Sequence, residues 1–140
     1  MTNKLKEKDV QRVIGKRIRE AGGFIHKISD FDVGYKPFDF FGIIAGTPFY
    51  IETKMVRGKS FSFSSIRSNQ LAALEKIEKN KRGVTNIVSG FAFFIEGRDP
   101  SSDIFFLPYE EIATHIAAGE KSVKADHIAL HMNLYALLGC

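Results

Sequence analysis

Apolar residues recur along this chain with two different periods, and each change of period marks an element. Val10, Val13, Ile14 and Ile18 follow helical spacing over residues 5–21, and Gly22-Gly23 supplies a stop, so the chain is predicted to open with an amphipathic helix. A short strand over 24–28 comes next, then a polar loop over 29–36 that carries Asp30, Asp32 and Gly34. The runs 38–45 and 49–55 are apolar and aromatic on both faces. They are predicted to be central strands of a sheet, joined as a hairpin across Gly46-Thr47-Pro48.

Further along, the serine-rich stretch 56–65 reads as a loop leading to a helix that starts near Ser65 or Ser68 and ends about Lys81, before Gly83. A strand over 84–95, a turn over 97–102, a short strand over 104–107 and a helix with Pro108 at its first position complete the readable part. Beyond Gly119 the pattern weakens, because residues 127–138 fit helical and alternating periods alike. Helices alternating with strands in a single domain over residues 1–140 predict an α/β fold, a mixed central β-sheet flanked by helices.

Composition changes this picture little. An apolar share of 44% against 26% charged is ordinary for a globular domain, and no apolar run is long enough to span a bilayer. The N-terminus lacks the apolar stretch of a secretory signal, and Cys140 is the one cysteine, so a cytoplasmic protein without an internal disulfide is expected. The net charge of +4 is modest, but its distribution is uneven. Lys4, Lys6, Lys8, Arg12, Lys16, Arg17 and Arg19 crowd the first helix, Lys36 precedes Pro37, and Arg57, Lys59 and Arg67 follow the second strand of the hairpin. Basic groups around an acidic site suit a phosphate-backbone partner; the alternative is a solvated helix face.

That acidic site is the chemical core of the sequence. Asp39 lies in one strand of the hairpin, and Glu52 and Lys54 lie two apart in the other, so the last two share a face. An even loop centred on Gly46-Thr47 pairs residue 45 with 48, puts Asp39 opposite Lys54, and brings all three groups together; an odd loop would turn Asp39 away. Charged groups inside apolar strands cost several kcal/mol or so if left unpaired, which favours a functional role over a chance Glu-x-Lys ion pair. Asp39 and Glu52, with the Thr53 carbonyl, offer the oxygen donors that Mg²⁺ or Mn²⁺ prefers, and Lys54 can orient water and offset phosphate charge. The pattern therefore predicts metal-dependent phosphodiester hydrolysis.

Two residues from other elements point at the same place. Glu7 and Gln11 extend the stripe of Ile14 and Ile18, so Glu7 is a candidate further carboxylate for the metal, with a solvated helix-start glutamate as the alternative. Gln70 shares a stripe with Leu74 and Ile77, which aims its amide inward toward Lys54 or a phosphate. His127 and His131 are four apart but have no third ligand in view, and His26 and His115 read as ordinary strand-end and helix residues. Phe61 and Phe63 alternate with serines and are expected mainly to pack, with a wedge against DNA bases as the second reading.

In this order, Glu7, Pro37-Phe38-Asp39, Glu52-Thr53-Lys54 and Gln70 resemble the PD-(D/E)xK nuclease superfamily, over residues 7–88. With Lys59-Ser60-Phe61-Ser62-Phe63 added, the chain looks most like the RecU-type Holliday junction resolvases. Val10-Gln11 and Val33-Gly34-Tyr35 are also similar to VRR-Nuc domains. The resemblance implies a restriction-endonuclease-like fold and a homodimer that nicks symmetric strands of a four-way DNA junction. RecU-type proteins carry a long stalk before the motif aspartate, where this chain has only residues 29–37. A nuclease acting on flap or duplex DNA, and a DNA-binding module without catalysis, are the competing readings.

Overall fold

In the computed structural model, which describes residues 4–29 and 36–140, α1 (Glu7–Glu20) leads through β1 (Phe24–Lys27) into a hairpin of β2 (Phe40–Ile44) and β3 (Thr47–Val56). Next come β4 (Ser60–Ser62), a 3₁₀ turn (Phe63–Ser65), α2 (Ser68–Asn80), β5 (Val88–Ile95) and β6 (Phe105–Pro108). The chain closes with α3 (Tyr109–Ala117), β7 (Ser122–Lys124), α4 (Ala125–Ile128) and α5 (Leu134–Leu138). Most of the predicted polar loop, with Asp30, Asp32 and Val33-Gly34-Tyr35, lies outside the described residues.

Five strands form a mixed sheet in the order β1-β2-β3-β5-β6, with β3 and β5 parallel and the other neighbours antiparallel. The parallel pair needs a crossover, and α2 supplies it. As expected, β2 and β3 are interior strands. Alternation along β3 sends Phe49 and Ile51 to one face, where they pack with Val10, Ile14 and Ile18 of α1 and Leu134 and Tyr135 of α5. Val56 faces the other side, in a second core with Leu74 of α2, Ile112 of α3 and Phe91, Phe93 and Leu107 of the sheet. Each such buried side chain contributes about 1.5–3 kcal/mol, so the layers hold β3 rigidly from both sides. Among the described residues, no helix is long and apolar enough to cross a membrane.

The helix starts are fastened locally. Asp9 accepts the Lys6 N–H at 2.9 Å at the start of α1, with Glu7 and Asp9 in the first turn and Arg17 and Arg19 in the last, the charge order that suits the helix dipole. Gly42 of β2 has no room for a side chain between its neighbours β1 and β3: a Cβ there would stand 1.9 Å from the Phe24 carbonyl oxygen and 2.6 Å from the Phe49 ring.

The structure corrects several boundaries. The hairpin turn is Ala45-Gly46, both at positive φ (49° and 81°), and Thr47 and Pro48 already belong to β3. Pro48 is tolerated there because β5 pairs with β3 only from Phe49 onward. The stretch 56–65 is not all loop, since Ser60–Ser62 pairs with Ser122–Lys124 as a two-stranded sheet. The fifth strand starts at Val88 rather than 84, and Pro108 precedes the first helical residue of α3 instead of occupying it. Phe61 and Phe63 are buried in the second core, which favours packing over a DNA wedge.

Candidate active site

The shift in the hairpin turn keeps the loop even, so the face of every residue is as predicted while the pairing moves. Ile44 pairs with Thr47 and Phe40 with Ile51, which sets Asp39 beside Glu52 rather than opposite Lys54. Two hydrogen bonds fix it there: the Asp39 N–H donates to the Ile51 carbonyl at 3.0 Å, and Asp39 Oδ2 accepts the Thr53 N–H at 2.6 Å. β2 begins only at Phe40, so beside Thr53 the aspartate takes the place of the missing strand partner. A residue's N–H and C=O leave a strand on the same side, so the Thr53 carbonyl opens toward the same space. The Thr53 hydroxyl points to the other face, where it is buried without a partner.

Glu52 is 1% exposed, as is Asp39, and Lys54 only 7%. Glu52 Oε2 accepts from Gln70 Nε2 at 2.8 Å and lies 3.3 Å from Lys54 Nζ, while Oε1 is buried with no hydrogen-bond partner. Lys54 also donates to the Ser65 carbonyl at 3.2 Å, and Lys36 pairs with Asp39 Oδ1 at 2.9 Å. Glu7, in the first turn of α1, completes the group from the opposite layer. One carboxylate oxygen each from Glu7, Asp39 and Glu52 lies within 4.8 Å of the others.

Such crowding has an electrostatic signature. Burial, with the Asp39 carboxylate beside it, pushes Glu52 up to about 8, although Lys54 acts in the lowering direction. Burial and Asp39 also raise Glu7. Three carboxylates in one pocket, one with an orphaned oxygen, are a poor arrangement for a protein alone and a good one for a hard divalent cation, whose oxygen ligands stand about 3 Å apart around it. The donor set therefore fits Mg²⁺ or Mn²⁺.

Around the acids runs an open cleft of about 670 Å³ that gathers most of the predicted residues: Glu7, Asp39, Glu52, Lys54 and Gln70, with Lys8, Lys36 and Arg67 among the cations. Arg12 is not in its lining and pairs with Asp9 at 3.7 Å. Arg57 is tied to Glu96 at 2.6 Å in a neighbouring hollow, and Lys59 is exposed beyond both. Lys6, from the N-terminal basic cluster, also lines the cleft, and so does Lys27, a cation the sequence pattern did not single out. Lys27 was legible only in the pairing of β1 with β2, where Lys27 faces Phe40 next to the motif aspartate. The role of Ser65 is a backbone carbonyl and leaves no trace in the sequence.

Comparison with known proteins bears on the fold and the family. A search of curated protein sequences gave no significant match. Among solved structures, the chain is similar to Archaeoglobus fulgidus Hjc, a Holliday junction resolvase from an archaeal hyperthermophile, with a TM-score of 0.63 over 96% of this chain and 97% of that one at 16% sequence identity. The family profile of RecU, Recombination protein U, matches residues 34–136. The chain thus belongs to the RecU family and has the fold of a Holliday junction resolvase.

Proposed function

We propose that this protein is a Mg²⁺-dependent endodeoxyribonuclease that resolves Holliday junctions as a homodimer. The observation that carries the reading is the meeting of Glu7, Asp39 and Glu52 within 4.8 Å, with a buried, unpartnered Glu52 oxygen among them. Asp39, Glu52 and Glu7 would hold the cation, with the Thr53 carbonyl as a further donor. When bound, such an ion lowers the pKa of water toward neutrality and offsets charge on the phosphate.

The chain's own residues do the rest. Lys54, held between Glu52 and the Ser65 carbonyl, stands ready to orient the attacking water and to stabilise negative charge growing on the phosphate oxygens. Gln70 fixes the rotamer of Glu52, so the acid does not have to reorganise when DNA arrives. Lys6, Lys8, Lys27, Lys36 and Arg67 surround the acids and draw in the phosphate backbone that carboxylates alone would repel. At the other side of the sheet edge, Phe24 and Ile43 are exposed cross-strand neighbours, a small apolar patch in keeping with a second copy of the chain.

Incubation with a mobile four-way junction, a flap and a plain duplex in Mg²⁺ tests the reading. Paired nicks in the junction, abolished in Asp39→Asn and Lys54→Ala while binding in Ca²⁺ persists, are expected. Equal cutting of all three substrates would replace junction resolution by general nuclease activity, and binding without cutting in either Mg²⁺ or Mn²⁺ would leave a DNA-binding module.

A further inference from the structure

A second group of metal-ligating side chains lies on α3 and α4, outside the lining of the acidic cleft. Glu111 and His115 are one turn apart on α3, and the fold brings α4 against them, so that one donor atom each from Glu111, His115 and His127 lies within 4.8 Å of the others. The sequence spacing of His127 and His131 offered no third ligand; in the fold, α3 brings Glu111 and His115 beside His127 as further candidates. The rings of His115 and His127 are 5.8 Å apart and those of His127 and His131 5.0 Å.

The ring nitrogens are already sorted. His131 Nδ1 is 3.0 Å from the His127 carbonyl, which can only accept, so Nδ1 carries a hydrogen and Nε2 is the atom turned to the Glu111 carboxylate. His115 Nδ1 lies against the Glu120 carboxylate, which likewise leaves Nε2 for coordination. A carbonyl or carboxylate on the far nitrogen is the usual partner of a metal-bound histidine, where it fixes the tautomer and raises ligand basicity.

We propose that Glu111, His115 and His127, with His131 as fourth donor, form a second metal site that takes Zn²⁺ or a similar imidazole-preferring transition ion and clamps α4 to α3. Donors around tetrahedral zinc stand about 3.3 Å apart, within reach of small side-chain movements from the present cluster. Imidazole nitrogens select against Mg²⁺, so the two sites would sort their ions by chemistry. The clamp has a structural purpose: α4 has four residues and cannot hold itself together as an isolated helix. It follows β7, whose pairing with β4 anchors the segment that carries Ser65, the partner of Lys54.

The test uses the full, tag-free chain after chelator treatment, titrated with Zn²⁺ against a chromophoric chelator in excess Mg²⁺. One equivalent is expected to bind, to survive the Mg²⁺, to be retained in Glu52→Gln, and to weaken at least about tenfold in His127→Ala and further in the His115→Ala/His127→Ala double variant. On the wild type alone, one equivalent of Zn²⁺ should shift the imidazole NMR signals of His115 and His127, a reading that does not depend on the variants folding. Unchanged histidine signals, displacement by Mg²⁺, or loss of the equivalent in Glu52→Gln in place of the histidine variants would overturn the proposal.

Discussion

Gln70 grips Glu52 while capping its own helix: Nε2 donates to Glu52 Oε2 at 2.8 Å, and Oε1 accepts the Arg67 N–H at 3.0 Å at the start of α2. The side chain therefore couples the start of α2 to the orientation of a buried acid. Gln70→Ala breaks both bonds. The expected result is a loss of about 1–2 kcal/mol in stability, read by urea unfolding, and a ten- to hundredfold drop or so in cleavage at low Mg²⁺, partly recovered at high Mg²⁺. Unchanged Mg²⁺ dependence would remove Gln70 from the site.

The titration of Glu52 predicts an unusual pH dependence for the metal-free protein. Its folded pKa is raised from 4.5 to about 8, so between those values the native state binds more protons than the unfolded chain. Stability from this group is fully present below the lower value and is lost as pH rises through the upper one. Thermal melting in chelator should fall from about pH 5 to about pH 9, and Glu52→Gln should flatten the slope. Mg²⁺ should reverse the loss, because the cation takes over from the proton. A melting temperature that rises across this window would contradict the burial of Glu52.

Cations inside and outside the cleft separate by salt dependence. Lys27→Ala should weaken four-way junction binding and reduce the slope of log affinity against log salt by about one, since one phosphate contact is lost. Arg12→Ala should alter neither, because its guanidinium pairs with Asp9 and lies away from the cleft lining. Equal effects of the two changes would mean that DNA covers more of α1 than the cleft.

Much of this site was legible in the sequence because strand parity survives small errors. Moving the turn from Gly46-Thr47 to Ala45-Gly46 changes which residue lies beside Asp39 but leaves it on the face of Glu52 and Lys54. The error itself came from Pro48, which reads as turn punctuation yet sits in a strand whose far neighbour has not begun. Asp39 held a further surprise, since its bond to the Thr53 N–H depends on where β2 starts. The C-terminal part was not legible for a physical reason. α4 and α5 have four and five residues, too short for any period to show, and His127 is placed near His115 by long-range contacts, the pairing of β7 with β4 and the packing of Ile128 with Ile112 in the second core.

The convergence of Glu7, Asp39 and Glu52 on one divalent ion is tested most directly by anomalous diffraction from crystals grown with Mn²⁺. The account predicts a peak within coordination distance of Asp39 and Glu52 oxygens and directed toward Glu7 and the Thr53 carbonyl, absent in Asp39→Asn. A cleft with no peak at millimolar Mn²⁺, or a peak that ignores both Asp39 and Glu52, would contradict it.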